Sequence, residues 1–184
     1  MTTETVAAFS KTRLGGEPLP LDLETLLLSS DALYSRTGVS IGGGADWAPW
    51  LDTSYLSEAD KRNPDIIANV RAIADVCGLI TFVAMHEDAE YIGYWRGPSQ
   101  LLIANSPLVV LDNEGQFRIC AGPRLVECLL ERTYDNESFM ELRSWFQTLG
   151  IVVPATAIKD LAYPAEPSDP DALHLALYTK YRGA

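Results

Sequence analysis

Residues 79–120 read LITFVAMHEDAEYIGYWRGPSQLLIANSPLVVLDNEGQFRIC, and the period of this stretch decides the fold. Leu79 to Met85 and Tyr91 to Trp95 are short apolar runs rich in β-branched and aromatic residues, separated by the polar Glu87-Asp88-Ala89. A second pair, Leu108 to Leu111 and Gln116 to Cys120, flanks Asp112-Asn113-Glu114-Gly115, where Asn and Gly tolerate the positive φ of a tight turn. Both pairs predict β-hairpins. Strand alternation puts Tyr91, Gly93 and Trp95 on one sheet face and Ile92 and Tyr94 on the other. One of these sets is expected to face a helical core, with Trp95 buried because a large ring repays its ordering only when desolvated.

Working outward, the period changes to that of helices. Asn63 caps a helix that opens with Pro64 and Asp65, buries Ile66, Ile67, Val70, Ile73 and Ala74 on one face, and stops at Gly78. Leu23, Leu26, Leu27, Ala32 and Leu33 suit a helix from Leu21 to Tyr34, ended by Gly38. Gly42-Gly43-Gly44 then opens a loop carrying Trp47, Pro49 and Trp50. After the strands, Gly122-Pro123 leads into a helix with Leu125, Val126, Leu129 and Leu130. Asn136 caps another, whose Phe139, Met140, Leu142, Trp145, Phe146 and Leu149 form one stripe closed by Gly150. Strands in the middle with helices on either side predict an α+β fold, a central antiparallel sheet flanked by helices. Residues 1–20, broken by Gly15-Gly16, Pro18 and Pro20, read as an irregular arm, and 21–150 as the single domain. Residues 151–184 read as a Pro-rich extension. Pro154, Pro164, Pro167 and Pro170 forbid a long helix across it, while Asp171 caps a short terminal helix that docks back.

Composition excludes several function classes. The chain has 184 residues, 25 acidic against 14 basic, for a net charge of −11, and 47% apolar residues. That is too apolar for disorder, and no run approaches the ~18–20 residues that span a bilayer. The acidic balance repels phosphate backbones and anionic lipid, so neither nucleic acid nor membrane is expected as a partner. The N-terminus has no signal-peptide pattern, and Cys77, Cys120 and Cys128 are an odd number without metal-ligand spacing. They read as buried thiols of a cytoplasmic protein.

Catalytic hardware is sparse. A Cys77–His86 dyad would put the thiol at a helix C-terminus, where the dipole disfavours a thiolate. His-x-x-x-His, Cys-x-x-Cys, Asp-rich calcium loops, Gly-x-Ser-x-Gly and a Walker-type ending to the glycine run are all missing from the sequence. No metal or cofactor is therefore expected. Two binding constellations remain. A simple meander would gather Glu87, Asp88 and Glu90 beside Asp112 and Glu114 as an anionic rim, able to steer a basic partner. Trp47 and Trp50 are the exposed anchors of an aromatic set that also includes Tyr55, Tyr94 and Trp95.

The segments EYIGYWRGP (90–98) and SPLVVLDNEGQF (106–117), with the Leu/Val-rich helix from Gly122, resemble the SUKH superfamily, proteins related to the fungal Smi/Knr cell-wall regulators. The resemblance runs from about Ile41 to Leu149. It implies an α+β domain without enzymatic activity and without catalytic residues to carry over. In bacteria such proteins are immunity proteins of polymorphic toxin systems, each binding the toxic domain made beside it; in eukaryotes they are regulatory scaffolds. On this basis Gly93, Trp95 and Gly97 are structural: a bulge, a core anchor and a strand exit. The resemblance implies a protein that neutralises a cognate toxin by direct binding, and acidity suits a basic toxin such as a nuclease. The alternatives are a Smi/Knr-like scaffold, or a small carboxylate-dependent hydrolase with two acids of shifted pKa converging in a deep pocket.

Overall fold

The computed structural model describes residues 3–42, 47–165 and 168–183; Gly43, Gly44 and Pro167 lie outside them. Five strands form one sheet: β1 (Val39–Ile41), β2 (Ile80–His86), β3 (Tyr91–Trp95), β4 (Leu108–Leu111) and β5 (Phe117–Ile119). They pair antiparallel in sequence order, so the α+β class and the two hairpins stand as expected, joined by β1 at one side. The helices are α1 (Thr3–Arg13), α2 (Leu21–Leu28), α3 (Ser30–Thr37), α4 (Pro64–Cys77), α5 (Leu125–Glu131), α6 (Asn136–Thr148) and α7 (Pro170–Arg182).

Alternation feeds two cores, because both sheet faces are covered. On one, Ile92, Tyr94, Leu108 and Val110 pack with Leu23, Leu26 and Leu33 from α2 and α3, and with Val126, Leu129, Phe139 and Phe146 from α5 and α6. On the other, Phe82, Trp95, Val109, Leu111 and Phe117 meet Val76 and Cys77 of α4, with Leu173 and Leu177 of α7 against them. Burial on both sides explains why Leu108–Leu111 is an unbroken apolar run. It also replaces the expectation that only one alternating set of β3 faces helices.

The motif residues of β3 are structural. The pairing register jumps between Phe82 and Ala84, opposite Gly93 and Ile92. A Cβ on Gly93 would stand 2.6 Å from Ile80 Cγ2 and 2.8 Å from Phe82 Cα, so only glycine lets β2 approach there. Trp95 is 1% exposed, and Gly97 leaves the strand at φ +60°.

Several local readings need correction. Residues 3–13 are helical rather than irregular. Gly15 and Gly16, read as loop punctuation, take positive φ just past α1, where the Gly16 N–H returns to the Ser10 carbonyl at 2.9 Å. Phe9 and Leu14 hold this helix on the first core. The helix expected from Leu21 to Tyr34 breaks at Ser29, while Gly38 ends α3 in the left-handed region. On α4 the buried stripe is Ala68, Ala72, Val76 and Cys77, leaving Ile66, Ile67, Val70, Ile73 and Ala74 half-buried. Val76 and Cys77 meet the sheet core, with Ile73 packed against it, while Ala68 and Ala72 lie on the face that carries Asp65, Asn69 and Asp75, the residues that bond α7. Asp135, not Asn136, caps α6, and Met140 points outward.

The segment after Gly150 joins the domain. Ile151 and Val153 lie in the first core, and α7, capped by Asp169 rather than Asp171, docks on α4. Tyr181 hydrogen-bonds Asp75, Arg182 pairs with Asp65, and His174 Nε2 lies 2.9 Å from Asn69 Oδ1.

Candidate binding surfaces

In a meander the β2–β3 and β4–β5 turns fall at one end, and the register aligns Met85, Tyr91, Leu111 and Phe117 across the strands there. Glu87, Asp88, Glu90, Asp112 and Glu114 thus border the same end of the sheet. Local bonds shape them differently. Asp112 Oδ1 accepts from the Glu114 and Gln116 N–H groups at 2.9 Å each, and Glu114 Oε2 accepts from Gln116 Nε2 at 3.0 Å. The Asp88 N–H donates to His86 Nδ1 at 3.2 Å. Glu90 pairs with Arg132, which arrives from the end of α5. That cation was invisible in the sequence around the turn, and it leaves exposed Glu87, Asp88 and Glu114 as the outward-facing part of the rim.

Trp47 and Trp50 are half-buried rather than free anchors. Their rings meet edge to face at 5.3 Å, and Trp50 lies 4.2 Å from Phe82 and 5.6 Å from Tyr91. Arg13 stacks over Trp47 at 5.0 Å and donates to the Trp47 and Phe82 carbonyls. Together they close the second core where the strands leave it open. Of the aromatic set, Tyr94 and Trp95 are interior, and Tyr55, 75% exposed, is the one that projects.

Tyr55 stands over a surface that sequence reasoning missed. Leu56, Ile66, Val70, Leu175 and Tyr178 line a trough of about 670 Å³ between α4, α7 and the loop before α4, with Leu175 64% exposed. Ile66 and Val70 stay half-buried because α7 covers α4 only in part. Asp60 and Asp65 border it. The Ser57 hydroxyl and N–H hold the Asp60 carboxyl below its ordinary range, so that edge stays anionic. The surplus of apolar positions on α4, more than one buried stripe needs, was the available signal.

A second, polar groove of about 1060 Å³ runs between α3, the β2–β3 turn and α5–α6, with Arg36, Arg132, Glu87, Asp88 and Glu141 among its walls. Its charges alternate in sign. Burial pushes the Asp22 carboxyl up, but that group sits in the interior, accepting from the Val126 N–H at 3.3 Å, and lines neither groove. Among the described residues no cluster of three or more His, Cys, Asp or Glu could hold a metal, and no helix is long and apolar enough to cross a membrane. Compared with known proteins, the chain matches no family model, no curated protein and no solved structure.

Proposed function

We propose that this is a SUKH-like immunity protein that neutralises a cognate toxin by forming a tight complex, acting by contact and not by bond-making. The observation that carries the reading is the trough under Tyr55: a concave apolar surface left open beside the second core, edged by carboxylates. Such a surface fits a segment of a basic partner, whose apolar side chains fill the floor while a cation meets Asp60, Asp65 being already paired with Arg182. The acidic sheet end adds long-range attraction, which speeds capture of a toxin before it does damage. The buried Trp95 and the strand exit at Gly97 agree with the roles the resemblance implies, while the bulge expected at Gly93 lies across from it on β2 at Val83. Buried thiols fit action in a reducing cytoplasm.

The test is co-expression with the toxin encoded beside this chain. Rescue of growth together with co-purification of the two proteins supports the reading; survival failing with both proteins present overturns it. A salt-insensitive complex with an unrelated cellular protein would favour the regulatory scaffold instead.

A further inference from the structure

Cys120 directly follows β5, Cys128 lies in the middle of α5, and both are fully buried in the first core. Cys128 Sγ lies 2.7 Å from Cys120 Sγ. The turn that folds α5 back over β5 is fastened at several points. The Ala121 N–H donates to Glu131 Oε2 at 3.0 Å, the Gly122 N–H to the Ala162 carbonyl at 2.8 Å, and Arg118 pairs with Glu131 at 2.7 Å. The backbone therefore sets the approach of the two sulfurs. Cys77 belongs to the other core, across the sheet, and takes no part.

We propose that Cys120 and Cys128 form a thiol–disulfide site, converted by hydrogen peroxide to an intramolecular disulfide. One sulfur, as thiolate, attacks the peroxide O–O bond and becomes a sulfenic acid, releasing hydroxide that takes up a proton to form water. The second sulfur then displaces the sulfenic hydroxyl, the S–S bond forms, and another water leaves. The two sulfurs lose two electrons in all and the peroxide gains them. A covalent S–S bond is about 2.05 Å long, so small rotations of two side chains complete it. The hydrogen bond with Cys128, and then burial, push the Cys120 thiol well above its ordinary value, which makes the reaction slow in the folded state. With neither residue exposed, peroxide reaches the sulfurs only through local opening, and a bulky disulfide such as oxidised glutathione needs a wider opening still.

The experiment uses the full, folded chain. It is incubated with hydrogen peroxide, quenched with catalase, and unfolded in guanidinium with N-ethylmaleimide. Intact mass and unreduced peptide maps are then recorded. The expected result is a loss of about 2 Da, the two thiol hydrogens, one maleimide on Cys77, and a Cys120–Cys128 linked peptide that dithiothreitol separates. Three maleimides, at peroxide levels that oxidise the unfolded chain, would overturn the proposal. So would a link to Cys77 or to a second chain, or oxygen added to either sulfur without a link.

Discussion

The indole of Trp95 donates from Nε1 to the Ser168 carbonyl at 2.6 Å, and the Ser168 hydroxyl lies 3.0 Å from the same nitrogen. One side chain from the sheet interior thus holds the backbone just before α7. Trp95→Phe keeps an aromatic ring but removes the donor and part of the packing. It should lower stability by about 2–3 kcal/mol in urea unfolding. Amide exchange in α7 should rise more than in α6; equal rises would show that the bond does not hold the helix.

Gly93→Ala tests the close approach of β2 and β3. Its Cβ would press on Ile80 and on the Phe82 backbone, which cannot rotate away. A loss of about 3 kcal/mol is expected from thermal or urea unfolding. A loss below about 1 kcal/mol would mean the strands separate easily there.

Asp22 gives the pH dependence a sign. Burial raises its carboxyl above the ordinary 3.8, against the opposing pull of the Val126 and Leu23 N–H groups and Arg124. The folded chain therefore keeps a proton that the unfolded chain gives up, so this group's contribution is fully present below the ordinary value. It is lost as pH rises through the raised one. Asp22→Asn retains the acceptor for Val126 and removes the charge. Unfolding measured from about pH 4 to neutrality should then lose that downward component, with higher stability at neutral pH than wild type.

For the rim, changing Glu87, Asp88, Asp112 and Glu114 to Ser or Asn should slow association with the proposed toxin partner by about tenfold at low salt and flatten its salt dependence. Stopped-flow mixing reads this directly. An unchanged low-salt on-rate would remove the rim from the reading and leave the trough.

For the trough, Leu175→Glu places a charge on an exposed position, so the melting temperature should hold within about 2 °C. Affinity for the proposed toxin partner should fall by at least about thirtyfold by calorimetry, as for an anchor lost from an interface centre. Tyr55→Ala should act in the same direction. A complex indifferent to both would place recognition elsewhere.

Much of the architecture was legible because its signals are local. The turn before β5, where Gly115 takes the positive φ and Asn113 does not, and the Asn63-Pro64 helix start carry their own geometry, and the structure uses both. The misreadings came where a distant partner decides. Gly15-Gly16 marks either a loop or a helix stop until Phe9 is seen buried, and β1, three residues long, exists only through its pairing with Val83–His86. Glu90 reads as a free carboxylate until Arg132 folds onto it. The trough was hidden because α4 carries more apolar residues than one face needs, and only the docking of α7 shows which of them stay open.

Both margins of the sheet, β1 and β5, are three residues long. A foreign strand laid along either would gain few main-chain bonds, too few to register or to template stacking between molecules. Recognition by strand addition is thereby disfavoured, as is self-association into ribbons. Any contact at these margins is therefore left to side chains, where selectivity rests on shape and charge.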